Sequence, residues 1–245
     1  MTREKSKLPE QPTHPVADVL LKPKGTPPRK KAGKPRASAP GKQDQRKTRS
    51  RVNILQAASK VFGRHGYANT RVEDILEAAS ISRPTFYRFF RSKEDVFETI
   101  DEVGSLSLLQ MVSSAVTNAE SPFEKIEQGV DAYLRWLVSA GTMAAVVRQE
   151  SMRPDSRLAT RREATVQMLS SLFEGEFERL RGYSCDPWLF SVLIAGVEHA
   201  GELLTAGKRP AEADIQRAKS VVLRVFMASL TSEESFLPPV PKAPR

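Results

Sequence analysis

The chain has a single cysteine, Cys185, which excludes an internal disulfide or a cysteine-built metal cluster and fits a reducing compartment. Long apolar runs are missing too. Near the start the best candidate, VADVLL at residues 16–21, is interrupted by Asp18 and falls short of the about 7–15 apolar residues of a signal peptide. Nothing approaches the about 20 apolar residues of a membrane span. Eight prolines in the first 40 residues argue against the amphipathic helix of a transit peptide. Glycine-rich phosphate loops and paired metal ligands are absent. Cys185 and His199 stand 14 residues apart with no third orienting group, which is poor ground for a nucleophile and its base. The expectation is a cytoplasmic protein that is not an enzyme and takes no metal and no cofactor.

Acidic residues are scarce only at one end. Residues 1–51 hold 15 Lys or Arg against 4 Asp or Glu, and the remainder holds 23 basic against 25 acidic residues. The formal net charge of +9 is therefore a property of the N-terminal segment, not of the folded body. Residues 1–44 join Lys, Arg and Pro to few large apolar groups and are expected to be a disordered tail. Such a tail is either merely solvated or a polyanion-binding arm.

From Gln45 the pattern turns helical. Ile54, Leu55, Ala58, Val61 and Phe62 recur at spacings of three and four before a stop at Gly66. Thr70 and Glu73 read as a capping box for a short second helix with Val72, Ile75, Leu76 and Ala79 on one stripe. Residues 80–82 turn the chain. Ser82 caps a third helix, expected to run to about Phe90, with Pro84 in its first turn. Ser92 and Asp95 repeat the cap for a longer helix reaching about Asn118.

The third helix mixes three rings with a polar row. Phe86 and Phe90, four apart, face one side and pack on the first two helices, while Arg83, Tyr87 and Arg88 point elsewhere. A short helix reached by a three-residue turn, with forked and hydroxyl donors on its free face, suits the major groove of a duplex.

The run AASKVFGRHGYANTRVEDILEAASISRPTFYRFFRSKEDVF resembles the N-terminal helix-turn-helix domain of TetR-family transcriptional regulators, through its T-x-x-D-I, S-x-x-T-F-Y-x-x-F and S-K-E-D elements. The resemblance implies an all-α homodimer: an N-terminal three-helix helix-turn-helix domain that binds double-stranded operator DNA, followed by a helical domain that takes a small-molecule effector and dimerises. It implies phosphate contacts from Thr70, Tyr87 and Lys93, and places Arg83 and Thr85 nearest the bases. Arginine suits that role because it bonds guanine O6 and N7 together. With Pro84 and Arg88 on the same helix, and Arg46, Lys47 and Arg49 at the start of helix one, these form the expected DNA-binding set. Many members carry glycine in the turn where this chain has Ser80, which costs stability if that residue needs positive φ.

The expected division is a tail at 1–44, the DNA-binding domain at 45–92, the effector and dimerisation domain at 93–231 and a flexible Pro-rich end at 232–245. Within the third part, Ser121 and Pro122 start a helix that Gly141 stops, a shorter helix covers 142–152, and a long one begins at Asp155 and ends near Gly182. Residues 187–205 are apolar nearly all round and must be covered all round. That helix and the last one, at about 211–231, are expected to pair with their symmetry mates. The expected interface is Leu189, Leu193, Gly196, Ala200, Leu204, Ile215, Val222, Val225 and Phe226. Candidate effector-pocket residues are Met111, Tyr133, Trp136, Met143, Met168, Phe173 and Trp188, with Gln149 and His199 as polar partners. The functional expectation is a repressor released by its effector. The alternative is an architectural or nonspecific polyanion binder that uses the basic tail without ligand control.

Overall fold

The computed structural model describes residues 42–181, 186–207 and 209–231. Its elements are α1 (Lys42–Asn69), α2 (Val72–Ala79), α3 (Arg83–Tyr87), α4 (Lys93–Asn118), α5 (Pro122–Ala140), α6 (Thr142–Ser151), α7 (Ala159–Arg181), α8 (Pro187–Thr205) and α9 (Glu212–Thr231), with no strand among the described residues. The all-α class is as expected. Most of the basic tail, the Pro-rich end, the stop at Gly182 and Cys185 lie outside the described residues. No described helix is long and apolar enough to cross a membrane.

Local signals set most boundaries. Ser82, Ser92 and Ser121 accept backbone N–H groups of Thr85, Asp95 and Glu124, each filling one of the donors that a helix start leaves open. Gly66, at φ 76°, breaks α1 as its position suggested.

Three boundaries differ. The second helix starts two residues beyond Thr70: Arg71 is the N-cap, and its N–H donates to Asp74 Oδ2 at 2.7 Å. Thr70 instead donates its hydroxyl to Gly66 O at 2.7 Å, while Glu73 turns to Arg83. The third helix ends at Tyr87, after which Phe89 N donates to Phe86 O at 2.8 Å and tightens the chain into a turn. The long helix α7 begins at Ala159, because residues 152–158 form turns that insert Leu158 into the N-terminal core.

Ser80 is the one non-glycine residue with positive φ among those described, at φ 53° and ψ 48°. Its N–H and that of Ile81 close the end of α2 on the carbonyls of Glu77 and Leu76, each at 3.1 Å. A left-handed conformation costs a residue with Cβ roughly 1–2 kcal/mol, partly offset by the greater unfolded-state entropy of glycine. Ser80→Gly is therefore expected to stabilise the chain by about 0.5–1 kcal/mol. A urea midpoint that does not rise, at unchanged slope, would contradict this.

Two cores result. In the N-terminal core, Ile54, Leu55 and Phe62 of α1, Ile75 of α2 and Phe86 of α3 meet Val96, Phe97 and Ile100 of α4. Phe62 and Phe97 lie edge to face with ring centroids 5.0 Å apart. The second core joins α4, α5, α7, α8 and α9 through Leu108, Val112, Ile126, Leu134, Leu169 and Phe190, among others. Helix α6 serves both, for Met143 is buried in the first core and Ala144 packs on the second. Helix α6 also lies close on α1: a Cβ on Gly63 would meet Thr142 Oγ1 at 2.4 Å.

The expected dimer face needs correction. Leu193, Ile215, Val222 and Phe226 are buried within the chain itself, and Leu189, Ala200 and Leu204 pack against the second core. A Cβ on Gly201 would meet Leu137 Cδ1 at 2.4 Å, so the small residue there admits α5 rather than a partner. Of the expected set only Gly196 and Val225 are exposed. The outward face of α8 carries Trp188, Val192 and Leu203 at 81%, 66% and 69% exposure, and α9 adds Val221 and Val225. In a helix apolar all round, spacing alone does not say which stripe turns inward.

Candidate nucleic-acid interface and central cavity

Helix α3 is only five residues long, too short to hold itself. It is fixed by Phe86, fully buried, and by Phe90 just beyond it, 2% exposed. Its other side is open: Arg83, Pro84, Tyr87 and Arg88 are exposed and Thr85 is half-buried. The Thr85 hydroxyl shares a 2.9 Å hydrogen bond with Ser82 Oγ, and the Arg88 guanidinium lies 4.9 Å from the Phe89 ring centre. Arg46, Lys47 and Arg49 stand exposed on the first turns of α1.

Three expected contacts are modified. Thr70 is 1% exposed with its hydroxyl spent on Gly66, so it is not offered to a phosphate; the exposed Arg71 holds the start of α2. Lys93 donates to Tyr67 O at 3.0 Å and sits 4.4 Å from that ring's centre, which pins the ammonium and leaves it other donors. Arg83 is paired with Glu73 across the α2–α3 turn. Sequence reasoning misses that partner because Glu73 suits a capping box equally well. It also misses Glu94, which accepts the Tyr67 hydroxyl at 3.0 Å; burial, then Glu94, push that phenol well up.

Helices α4 to α8 enclose a cavity of about 110 Å³. Tyr133, Trp136 and Met143, three of the expected pocket residues, line it with Ile100, Leu108, Leu137 and Leu169. Phe173 lines a separate space of about 20 Å³. Met111, Gln149, Met168, Trp188 and His199 lie outside it, exposed on outer helix faces.

The polar part of the wall is not legible in the sequence. Glu198, 5% exposed, accepts two hydrogen bonds from Arg162 at 2.6 and 2.7 Å and one from the Tyr133 hydroxyl at 3.2 Å. Burial, then the Glu198 charge, push the Tyr133 phenol well up, so it stays a donor. Arg148 Nε donates to Glu202 at 2.6 Å. Asp101, 7% exposed, accepts from Arg161 at 2.6 Å; burial pushes its carboxyl up against the lowering pull of that arginine. Two glutamates four apart in an otherwise apolar helix were the available signal, since a charge enters such a setting only with a partner.

Residues 54–100 match the model of a family described as bacterial regulatory proteins, tetR family. Among curated relatives, the HTH-type transcriptional repressor NicS of Pseudomonas putida is 31% identical over 99 residues, 40% of this chain and 43% of NicS. The uncharacterised HTH-type transcriptional regulator YfiR of Bacillus subtilis is 28% identical over 134 residues, 55% of this chain and 64% of YfiR. These matches thus span less than two thirds of either relative. Among solved structures, the transcriptional regulator FadR from Bacillus subtilis in complex with stearoyl-CoA aligns with a TM-score of 0.60 at 16% identity, over 71% of this chain and 96% of that one. The fatty acid degradation regulator FadR from Bacillus halodurans gives 0.60 at 21% identity, over 71% and 94%. At such identities the structures show a shared fold.

Proposed function

We propose that this chain, whose residues 54–100 match the tetR family of bacterial regulatory proteins, is a DNA-binding transcriptional regulator of that family and acts as a homodimeric repressor that a small effector releases from its operator. The observation that carries this reading is the double duty of α6. Met143, Val146 and Val147 pack in the N-terminal core, while Arg148 and Ser151 line the cavity. A ligand that favours one position of α6 over another biases the helix-turn-helix domain, because α1 touches α6 too closely at Gly63 and Thr142 to move independently. The stearoyl-CoA bound to Bacillus subtilis FadR and the description of NicS as a repressor support ligand-controlled repression.

Dimerisation supplies the second reader. The exposed stripe of Trp188, Val192 and Leu203, with Val221 and Val225, is the surface that a second copy would cover. A dimer holds two α3 helices for half-sites about 34–36 Å apart. In this reading Arg83 reaches a base edge, Thr85 lies beside it, and Tyr87, Arg88, Lys93 and the α1 cations contact phosphates.

Selection of bound fragments from genomic DNA, followed by titration of the chosen fragment, tests the proposal. Arg83→Ala should cost about 1–3 kcal/mol and relax one operator position. Removing residues 1–44 should weaken binding in a salt-dependent way and leave sequence preference intact. Loss of all binding on that truncation, with no preferred sequence in the full chain, would make the protein a tail-driven polyanion binder instead.

A further inference from the structure

The charges of the cavity wall cancel within the chain. Glu198 is closed by Arg162, Glu202 by Arg148, and Asp101 by Arg161, which approaches from behind the wall. The hydroxyls of Ser151 and Thr165 are turned back onto the carbonyls of Arg148 and Arg161. An anion entering this space finds no unpaired cation: on the remaining N–H groups of Arg162 or Arg148 it would stand beside the carboxylate each already serves, and taking the arginine outright would leave that carboxylate unpaired in an apolar wall; a cation faces the mirror problem. Both are costly, because breaking a buried pair exposes a charge that nothing nearby compensates. Trp136 lies on the wall with its ring next to Gly104, but its Nε1 is shut off from any water-sized space and so is not offered to a ligand in the cavity.

We infer that the cavity takes an uncharged, largely apolar ligand group of small size, and rejects the free carboxylate or ammonium of the same shape. This rests on the reading of the cavity as an effector site and narrows it. An engineered apolar cavity of about 150 Å³ admits benzene, so about 110 Å³ suits a single ring with a short substituent.

Calorimetric titration of the full chain with acetophenone, benzoate and benzylamine tests charge at nearly constant shape. Acetophenone should bind about tenfold or more tighter than either ion. The isosteric Glu198→Gln variant leaves Arg162 without its counter-charge and should shift the order toward benzoate. Benzoate binding as tightly as acetophenone in the unaltered chain, an order unchanged in Glu198→Gln, or no heat with any probe would each overturn the inference. The titration is repeated with the selected DNA fragment bound. Acetophenone that binds without changing DNA affinity removes effector control and keeps the ligand class, whereas benzoate that binds best and releases DNA does the reverse.

Discussion

Replacing Phe86 by alanine is expected to destabilise the N-terminal core by about 3–5 kcal/mol and to abolish specific DNA binding. The ring is fully buried, with Phe90 at 6.0 Å and Tyr87 edge-on at 5.3 Å between ring centroids. Helix α3 has five residues and no stability of its own, since an isolated helix of that length does not repay its nucleation cost. Losing the ring therefore loses the orientation of Arg83 and Tyr87 as well. Circular dichroism should change little, because the longer helices remain, while operator affinity falls to the level of random DNA. A thermal midpoint within error of the unaltered chain, with operator binding intact, would mean that something other than this ring holds α3 against α1 and α2.

Arg162→Met is the second large effect. It strands Glu198, 5% exposed, and leaves it the Tyr133 hydroxyl as a donor. Breaking a buried pair costs about 3–5 kcal/mol, and the partial exposure of Arg162 puts the expected loss near the lower limit. The double variant Arg162→Met, Glu198→Gln should recover most of it, because no charge is then left unpaired. Urea unfolding of the two single variants and the double gives the coupling directly. A loss in Arg162→Met below about 1 kcal/mol would show that water reaches Glu198 and that the pair behaves as a surface one. Neither change touches the residues proposed to contact DNA, so operator choice should persist where the chain stays folded.

Much of the DNA-binding half was legible because its signals are short-range. Ser82 and Ser92 cap the helices they were expected to cap, Gly66 breaks α1, and the four-residue spacing of Phe86 and Phe90 sends both rings inward; in the other half Ser121 and Gly141 bound α5 in the same way. The need for positive φ at Ser80 was foreseeable from where the turn had to fall. The Arg83–Glu73 pair was not, because Glu73 had two partners within reach and helix register alone did not choose between them.

By itself the sequence determined the class, the succession of helices and the inward face of α3, since caps, stops and a strong amphipathic stripe act over a few residues and require no knowledge of neighbours. Only the tertiary structure decided which stripe of α8 faces the core. Leu189 and Leu193 were as apolar as Trp188 and Val192, and the choice fell to the fit of α8 against α5 and α9, with Gly201 admitting Leu137. It also decided the chemistry of the cavity. Arg162 and Glu198 lie 36 residues apart and Arg148 and Glu202 lie 54 apart, and a charge pair at such separation exists only once folding has brought three helices around one space.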